Sequence, residues 1–298
     1  MKIAILGAGA LGSVIGAELH AAGQEVVLLD RNAEHLEAIN RDGLRVDWDD
    51  RTEHLAIPGL LPEDAPQADL VILLTKTMHS DAALQSVAPL IEGGACVLTL
   101  QNGLGNVERL RARVPDGQVL FGCTMTPGDL RGPGHVASHG MAYTPFDALT
   151  KDGPAAQLAA ALDGALLTWT GDAAAQVWQK AAFNCAMNAT AVLGAGTVGA
   201  IADHVGPDLA LAIAAEVLAV GYAEGVESDL DAVKKQIGFA LREHTGHKPS
   251  MLQDVEAGRR TEIDALNGYV AEAAARYGID VPMNRLLAAL VRMRVRQA

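Results

Sequence analysis

Apolar residues follow two different textures along this chain. Up to Leu100, short continuous apolar runs alternate with segments in helical register. Residues 2–6 (KIAIL), 25–29 (EVVLL), 68–75 (ADLVILLT) and 95–100 (ACVLTL) predict strands. Residues 13–22, 33–40 and 81–90 predict helices, the first stopping at Gly23 and the second at Asp42-Gly43. A strand that is apolar along its whole length is covered on both faces. Its alternation with helices therefore predicts a parallel sheet between helical layers. From Val119 onward glycines and prolines punctuate shorter segments, and 119–126 and 134–143 predict antiparallel strands that extend the sheet. A helix over 155–166 and a short run over 167–170 close this half.

Beyond Gly171-Asp172 the pattern is helical throughout, with segments near 174–192, 207–224, 230–243, 250–257, 261–277 and 282–296. The pattern changes between 168 and 172. It predicts two domains, 1–170 and 171–298, the second all-α. Arg292, Arg294 and Arg296 form a small basic tail expected to be solvated.

Between the first strand and the first helix lies Gly7-Ala8-Gly9-Ala10-Leu11-Gly12, a G-x-G-x-x-G motif. The first glycine permits a tight turn, and the second lets backbone approach a pyrophosphate. The third lets the helix pack on the strand, while the N–H groups of the first helical turn, from Ala10 and Leu11 on, point at the anion. Alone the motif is weak; between a strand and a helix, with a second strand ending in Asp30, it predicts dinucleotide binding. The fold class is α/β, a Rossmann-type dinucleotide-binding domain followed by an all-α domain. Asp30 and Arg31 pull in opposite directions. A carboxylate there accepts from a ribose diol and favours NAD, whereas an arginine pairs with a 2′-phosphate and favours NADP.

Composition narrows the partners. The 298 residues carry a formal net charge of −13, which disfavours nucleic acid and anionic lipid as bulk partners. No apolar stretch reads as a membrane span, and a strand from Lys2 onward leaves no room for a signal peptide, so a cytoplasmic location is expected. Cys96, Cys123 and Cys185 are odd in number, far apart and in apolar company, which predicts buried free thiols. His79, His135, His139, His244 and His247 show no metal-ligand spacing, and no metal is expected.

The helical half carries the chemistry. Lys180, Asn184 and Asn188 stand at i, i+4 and i+8, which spreads them over about 80° of one helix face. That face belongs to an otherwise apolar, alanine-rich helix. Further on come Pro249-Ser250-Met251-Leu252-Gln253-Asp254, Arg260-Thr261-Glu262-Ile263-Asp264 and Asn267-Gly268. Asp254, Gly258 and Glu262 share one face by helical periodicity, and the glycine leaves space there. Lys76 and Gln101-Asn102-Gly103 follow predicted strands at their carboxyl ends, where parallel sheets bind ligands.

Together these motifs closely resemble those of the ketopantoate reductase family (2-dehydropantoate 2-reductases), from Met1 to about Pro282. The resemblance implies reduction of ketopantoate to D-pantoate with NADPH, in pantothenate biosynthesis. By matching position it implies Lys180 as the general acid at the ketone oxygen and Glu262 as the partner of the substrate hydroxyl. Asn184, Asn188 and Ser250 would bind the substrate's polar groups. Asn102 would lie near the nicotinamide ribose, and Arg31 and Lys76 at the adenosine phosphate. The chemistry agrees, because hydride arriving at a carbonyl carbon leaves charge on oxygen that needs a proton or a cation. Asp30 keeps NADH open as the cofactor, and with it a D-2-hydroxyacid dehydrogenase acting on another small 2-oxo acid. A non-catalytic dinucleotide sensor is the alternative of another class, disfavoured by the intact set of Lys180, Asn184, Asn188 and Glu262. The sequence leaves the oligomeric state open and admits a homodimer.

Overall fold

The computed structural model describes residues 1–164 and 166–295. Ala165, in the expected helix 155–166, and Arg296, at the end of the expected helix 282–296, lie outside the described residues. The chain divides into two compact units. One comprises Met1–Gln101 and Asn106–Ala173, the other Asn102–Gly105 and Ala174–Ala298. The short segment after the Gln101 strand end thus belongs with the helical half.

In the first unit β1 (Lys2–Leu6), α1 (Ala10–Ala21), β2 (Glu25–Leu29) and α2 (Ala33–Asp42) follow the expected order. Next come β3 (Leu44–Asp47), β4 (Thr52–Leu55), β5 (Gly59–Leu60), β6 (Leu70–Leu73), α3 (Ser80–Ser86), α4 (Ala88–Glu92) and β7 (Cys96–Thr99). The remainder is α5 (Asn106–Arg111), β8 (Val119–Gly122), β9 (Asp129–Gly132), β10 (His135–Ala137), β11 (Pro145–Ala148), α6 (Pro154–Leu162) and β12 (Thr168–Trp169). The main sheet runs β12-β11-β8-β7-β6-β1-β2-β5. From β8 to β5 every pairing is parallel. Successive residues of β1 feed opposite cores, Ile3 and Ile5 into one layer and Ala4 and Leu6 into the other. That is why the run is apolar throughout.

Two expectations are corrected here. β8 pairs parallel with β7, because α5 carries the chain back across the sheet before β8 starts, and the antiparallel neighbour is β11. Within 134–143 the only strand, β10, leaves the main sheet altogether and joins a small second sheet of order β4-β3-β10-β9. β9 and β10 form a tight hairpin through Gly132-Pro133-Gly134, and β9 is too exposed to serve as a core strand.

The second unit contains α7 (Ala173–Gly194), which starts at the unit's edge, α8 (Val198–His204), α9 (Gly206–Ala223), α10 (Leu230–Glu243), α11 (Ser250–Glu256), α12 (Asn267–Tyr277) and α13 (Pro282–Val295). α8 was not anticipated. Small residues let these helices approach closely: a Cβ on Gly221 of α9 would lie 2.9 Å from the Trp178 ring. Trp178 in turn meets Tyr269 edge-on at 6.3 Å. α9 has 18 residues and a mean hydropathy of 1.4, enough by length and composition to cross a membrane, unlike the sequence reading. Its Ala210, Ile213, Ala214, Val217 and Val220 pack into the core of this unit.

A buried polar network crosses that core. Asn267 and Asn284 are fully buried. The Asn267 amide donates to the Cys185 carbonyl at 3.1 Å and to Asn284 Oδ1 at 2.9 Å. Asn284 Nδ2 donates to the Ile213 carbonyl and to Glu216. The Glu216 carboxylate also accepts the Met283 and Asn284 N–H groups, so it caps α13. Two arginines of the basic tail are engaged. Arg292 pairs with Asp264 and Arg294 donates to the Leu193 carbonyl, near the end of α7.

Candidate active site

The glycine turn is built as its spacing requires. Gly7 has a φ of +103°, and a Cβ there would lie 2.5 Å from the Thr75 nitrogen. A Cβ on Gly12 would lie 2.0 Å from the Gly7 carbonyl oxygen, so strand and helix pack directly on each other. At Gly9 a Cβ would meet nothing within 4 Å. The space beside Gly9 opens at the start of α1, where Ala10 and Leu11 begin the helix and no side chain caps it. An uncapped first turn beside open space fits a pyrophosphate, so the residues present suit a dinucleotide.

Behind this turn sits His35, buried and neutral. Its Nδ1 accepts the Gly134 N–H at 2.9 Å, which leaves Nε2 as the donor towards Ser13 Oγ at 3.4 Å. Ser13 Oγ donates to the Ala8 carbonyl within the glycine turn. Burial pushes the His35 pKa below its ordinary value.

At the end of β2, Asp30 Oδ1 accepts the N–H groups of Arg31 (2.8 Å) and Asn32 (3.0 Å). Arg31 is exposed, and its guanidinium approaches Glu63 at 3.9 Å. At the end of β6, Lys76 is half-buried and precedes a short 3-10 turn, Thr77–His79. Buried Gln101 ties this strand end to its neighbour by donating to the Thr75 carbonyl at 2.7 Å and to Ser80 Oγ at 2.9 Å.

Within the second unit a small cavity is lined by Asn102, Asn184, Asn188, Ser250, Met251, Asp254, Glu262 and Leu266. Five of the expected substrate-side residues therefore meet in one place. Lys180 is half-buried on α7, one turn before Asn184, and does not line this cavity. The enclosed space is about 10 Å3, room for about one water.

Asn188 also has a structural role. Its Oδ1 accepts the Met251 N–H at 3.1 Å and the Ser250 hydroxyl at 3.4 Å, so a side chain from α7 caps α11. Glu262 is buried, 7% exposed. The helical periodicity that linked it to Asp254 does not hold, since α11 ends at Glu256 and Gly258 adopts φ +65°. A loop and a 3-10 turn, Ile263–Ala265, carry Glu262 back to the cavity instead. Asp254 is the member that sequence reasoning left unassigned. It is 4% exposed and takes Arg259 Nε at 3.0 Å. Its signal was present in the S-M-x-x-D spacing, which puts it one helical turn after Ser250. The thiols are buried as expected, Cys96 being pushed up to about 11 and Cys185 further still by burial. Among the described residues no His, Cys, Asp and Glu cluster could hold a metal ion.

Residues 3–151 match the family described as "Ketopantoate reductase PanE/ApbA", and residues 172–295 match "Ketopantoate reductase PanE/ApbA C terminal". The chain belongs to the ketopantoate reductase family. It is an oxidoreductase of the kind that interconverts CH–OH and C=O. It is 34% identical to the 2-dehydropantoate 2-reductase of Streptococcus pyogenes serotype M3 over 298 residues, 98% of this chain and 97% of the relative. The enzyme of that name from Halobacterium salinarum is also 34% identical, covering 98% of both chains. Among solved structures, a D-mandelate dehydrogenase in ternary complex with NADH and anilino(oxo)acetate is 30% identical, with a TM-score of 0.93 over 100% of this chain and 99% of that one. A PanE/ApbA family ketopantoate reductase from Ralstonia eutropha JMP134 is 32% identical, with a TM-score of 0.88 over the same shares. These relatives support a nicotinamide dinucleotide as cofactor.

Proposed function

We propose that this chain reduces the ketone of ketopantoate to D-pantoate with a reduced nicotinamide dinucleotide. The observation that carries the proposal is the cavity that gathers Asn102, Asn184, Asn188, Ser250 and Glu262. The dinucleotide would be held by the Gly7–Gly12 turn, by Asp30 and Arg31 at the end of β2, and by Lys76 and Asn102 after β6 and β7. When bound it supplies the hydride for the ketone carbon.

The chain's own residues do the rest. Lys180 Nζ donates a proton to the ketone oxygen as the C=O bond becomes CH–OH. Help of this kind is worth on the order of 10²–10⁴-fold in rate. Asn188 Oδ1 is occupied by Met251 and Ser250, so its Nδ2 remains to donate towards the substrate carboxylate. Glu262, buried beside Asp254, accepts from a substrate hydroxyl. Two buried carboxylates favour a substrate with a hydroxyl to offer. On this reading the product serves pantothenate biosynthesis in the cytoplasm.

Replacing Lys180 by alanine tests the proposal: turnover of ketopantoate falls by at least about a hundredfold while dinucleotide affinity holds. Full activity in that variant would falsify it. A second reading keeps the chemistry but changes the acid, and the likeness to a D-mandelate dehydrogenase supports it. Comparing kcat/KM for ketopantoate with that for branched and aromatic 2-oxo acids separates the two. A preference for ketopantoate below about tenfold favours the second.

A further inference from the structure

The end of β2 is more acidic than Arg31 alone suggests. Asp30 is fixed there because its Oδ1 takes the N–H groups of Arg31 and Asn32, while Oδ2 has no hydrogen bond among the described residues. Glu63 stands across from the Arg31 guanidinium at 3.9 Å, both side chains more than half exposed. The positive end of α2, a second attraction for a phosphate, is already partly answered. Asn32 Oδ1 accepts the His35 N–H, and Glu34 occupies the first turn. Lys76 follows β6, and β1 separates that strand from β2, a displacement of about 10 Å across the sheet. His35 is buried behind this corner with its Nδ1 accepting the Gly134 N–H, and burial lowers its pKa, so it offers no cation to a phosphate.

A ribose seated at the end of β2 offers either a 2′-hydroxyl or a 2′-phosphate. A hydroxyl can donate to Asp30 Oδ2. A phosphate would meet Asp30 and Glu63 with Arg31 to offset them, and that arginine already leans on Glu63. We propose that this site selects NADH over NADPH, and that Glu63, together with Asp30, determines the choice. The proposal rests on the dinucleotide reading of the glycine turn but not on which 2-oxo acid is reduced.

Direct binding tests it without any turnover. The purified full chain is titrated with NADH and with NADPH, and the dissociation constants are read from nucleotide fluorescence or by calorimetry. The expected wild-type preference is at least about tenfold for NADH. Glu63→Gln should tighten NADPH by about threefold or more and leave NADH within about twofold, since it removes a repelling charge and frees Arg31. Adding Asp30→Asn, which keeps an acceptor for Arg31 and Asn32, should move the ratio towards NADPH by a total of about thirtyfold. Tighter binding of NADPH by the wild type, or an unchanged ratio in Glu63→Gln, overturns the proposal. Failure of both nucleotides to bind overturns it together with the dinucleotide reading. The expected ratio in a chain inert towards ketopantoate upholds it and removes the substrate reading alone.

Discussion

The side-chain oxygen of Asn188 accepts the backbone N–H of Met251 at 3.1 Å, so one residue both lines the small cavity and starts α11, the helix that brings Ser250, Met251 and Asp254 to it. Affinity and stability are coupled at this position. Asn188→Ala should cost about 1–2 kcal/mol through the lost cap and also raise KM for the 2-oxo acid. Ser250→Ala removes only a 3.4 Å contact from the same oxygen. It should cost less than about 1 kcal/mol while still raising KM. Denaturant melts of both variants beside their kinetics would show the split; equal losses of stability would remove the capping role.

Gly9 and Gly12 belong to one motif but should respond differently to the same methyl group. At Gly12 the methyl would lie 2.0 Å from the Gly7 carbonyl, backbone that cannot step aside. Gly12→Ala should lose about 3 kcal/mol or more. At Gly9 the methyl meets nothing, and φ is −67°, ordinary for alanine. Gly9→Ala should keep its unfolding free energy within about 0.5 kcal/mol and bind dinucleotide at least about tenfold more weakly. Thermal melts and nucleotide titrations check both.

His35 should make the first unit sensitive to acid. Its folded pKa lies below the ordinary 6.5 because burial disfavours the charged ring. The unfolded chain therefore takes up this proton at a higher pH than the folded one. The contribution of the neutral ring is full above pH 6.5. It declines as pH falls through 6.5 towards the folded value and levels off below it. Protonation would also cost Nδ1 its acceptor role for Gly134. Urea unfolding across this range should show stability rising with pH, with a shallower slope in His35→Gln. An identical slope in that variant would assign the effect to other groups.

The Asn267–Asn284 pair should be costly to break. Asn284→Ala takes one hydrogen-bond partner each from the Ile213 carbonyl and the Asn267 amide inside the core and removes one donor to Glu216. The expected loss is about 2–4 kcal/mol, read from chemical denaturation. A loss within about 0.5 kcal/mol would mean that water repairs the network.

The residues that betrayed the fold are those whose pattern is set locally. KIAIL and EVVLL read as two-sided strands because each alternate residue has its own core. β5 was invisible because it is two residues long and its pairing with β2 is tertiary. β3 (LRVD) alternates cleanly but over four residues only, and β4 (TEHL) carries a single apolar residue, so neither stands out as a strand. At the cavity, Asn184 and Asn188 share a face of α7 as their spacing predicts, whereas Lys180, one turn earlier, does not line it. Glu262 comes to the cavity by a path that periodicity does not predict, since a loop after Gly258 rather than a continuous helix brings it there. The cap that Asn188 gives α11 joins residues 63 apart, and no local pattern encodes it.

The three buried thiols offer one more use of this molecule. Cys96 and Cys123 sit in the first unit and Cys185 in the second, each shielded from solvent. A small alkylating reagent can reach them only through transient opening of the surrounding structure. The order in which mass spectrometry finds them modified would therefore report which unit breathes first, with no label added to the chain.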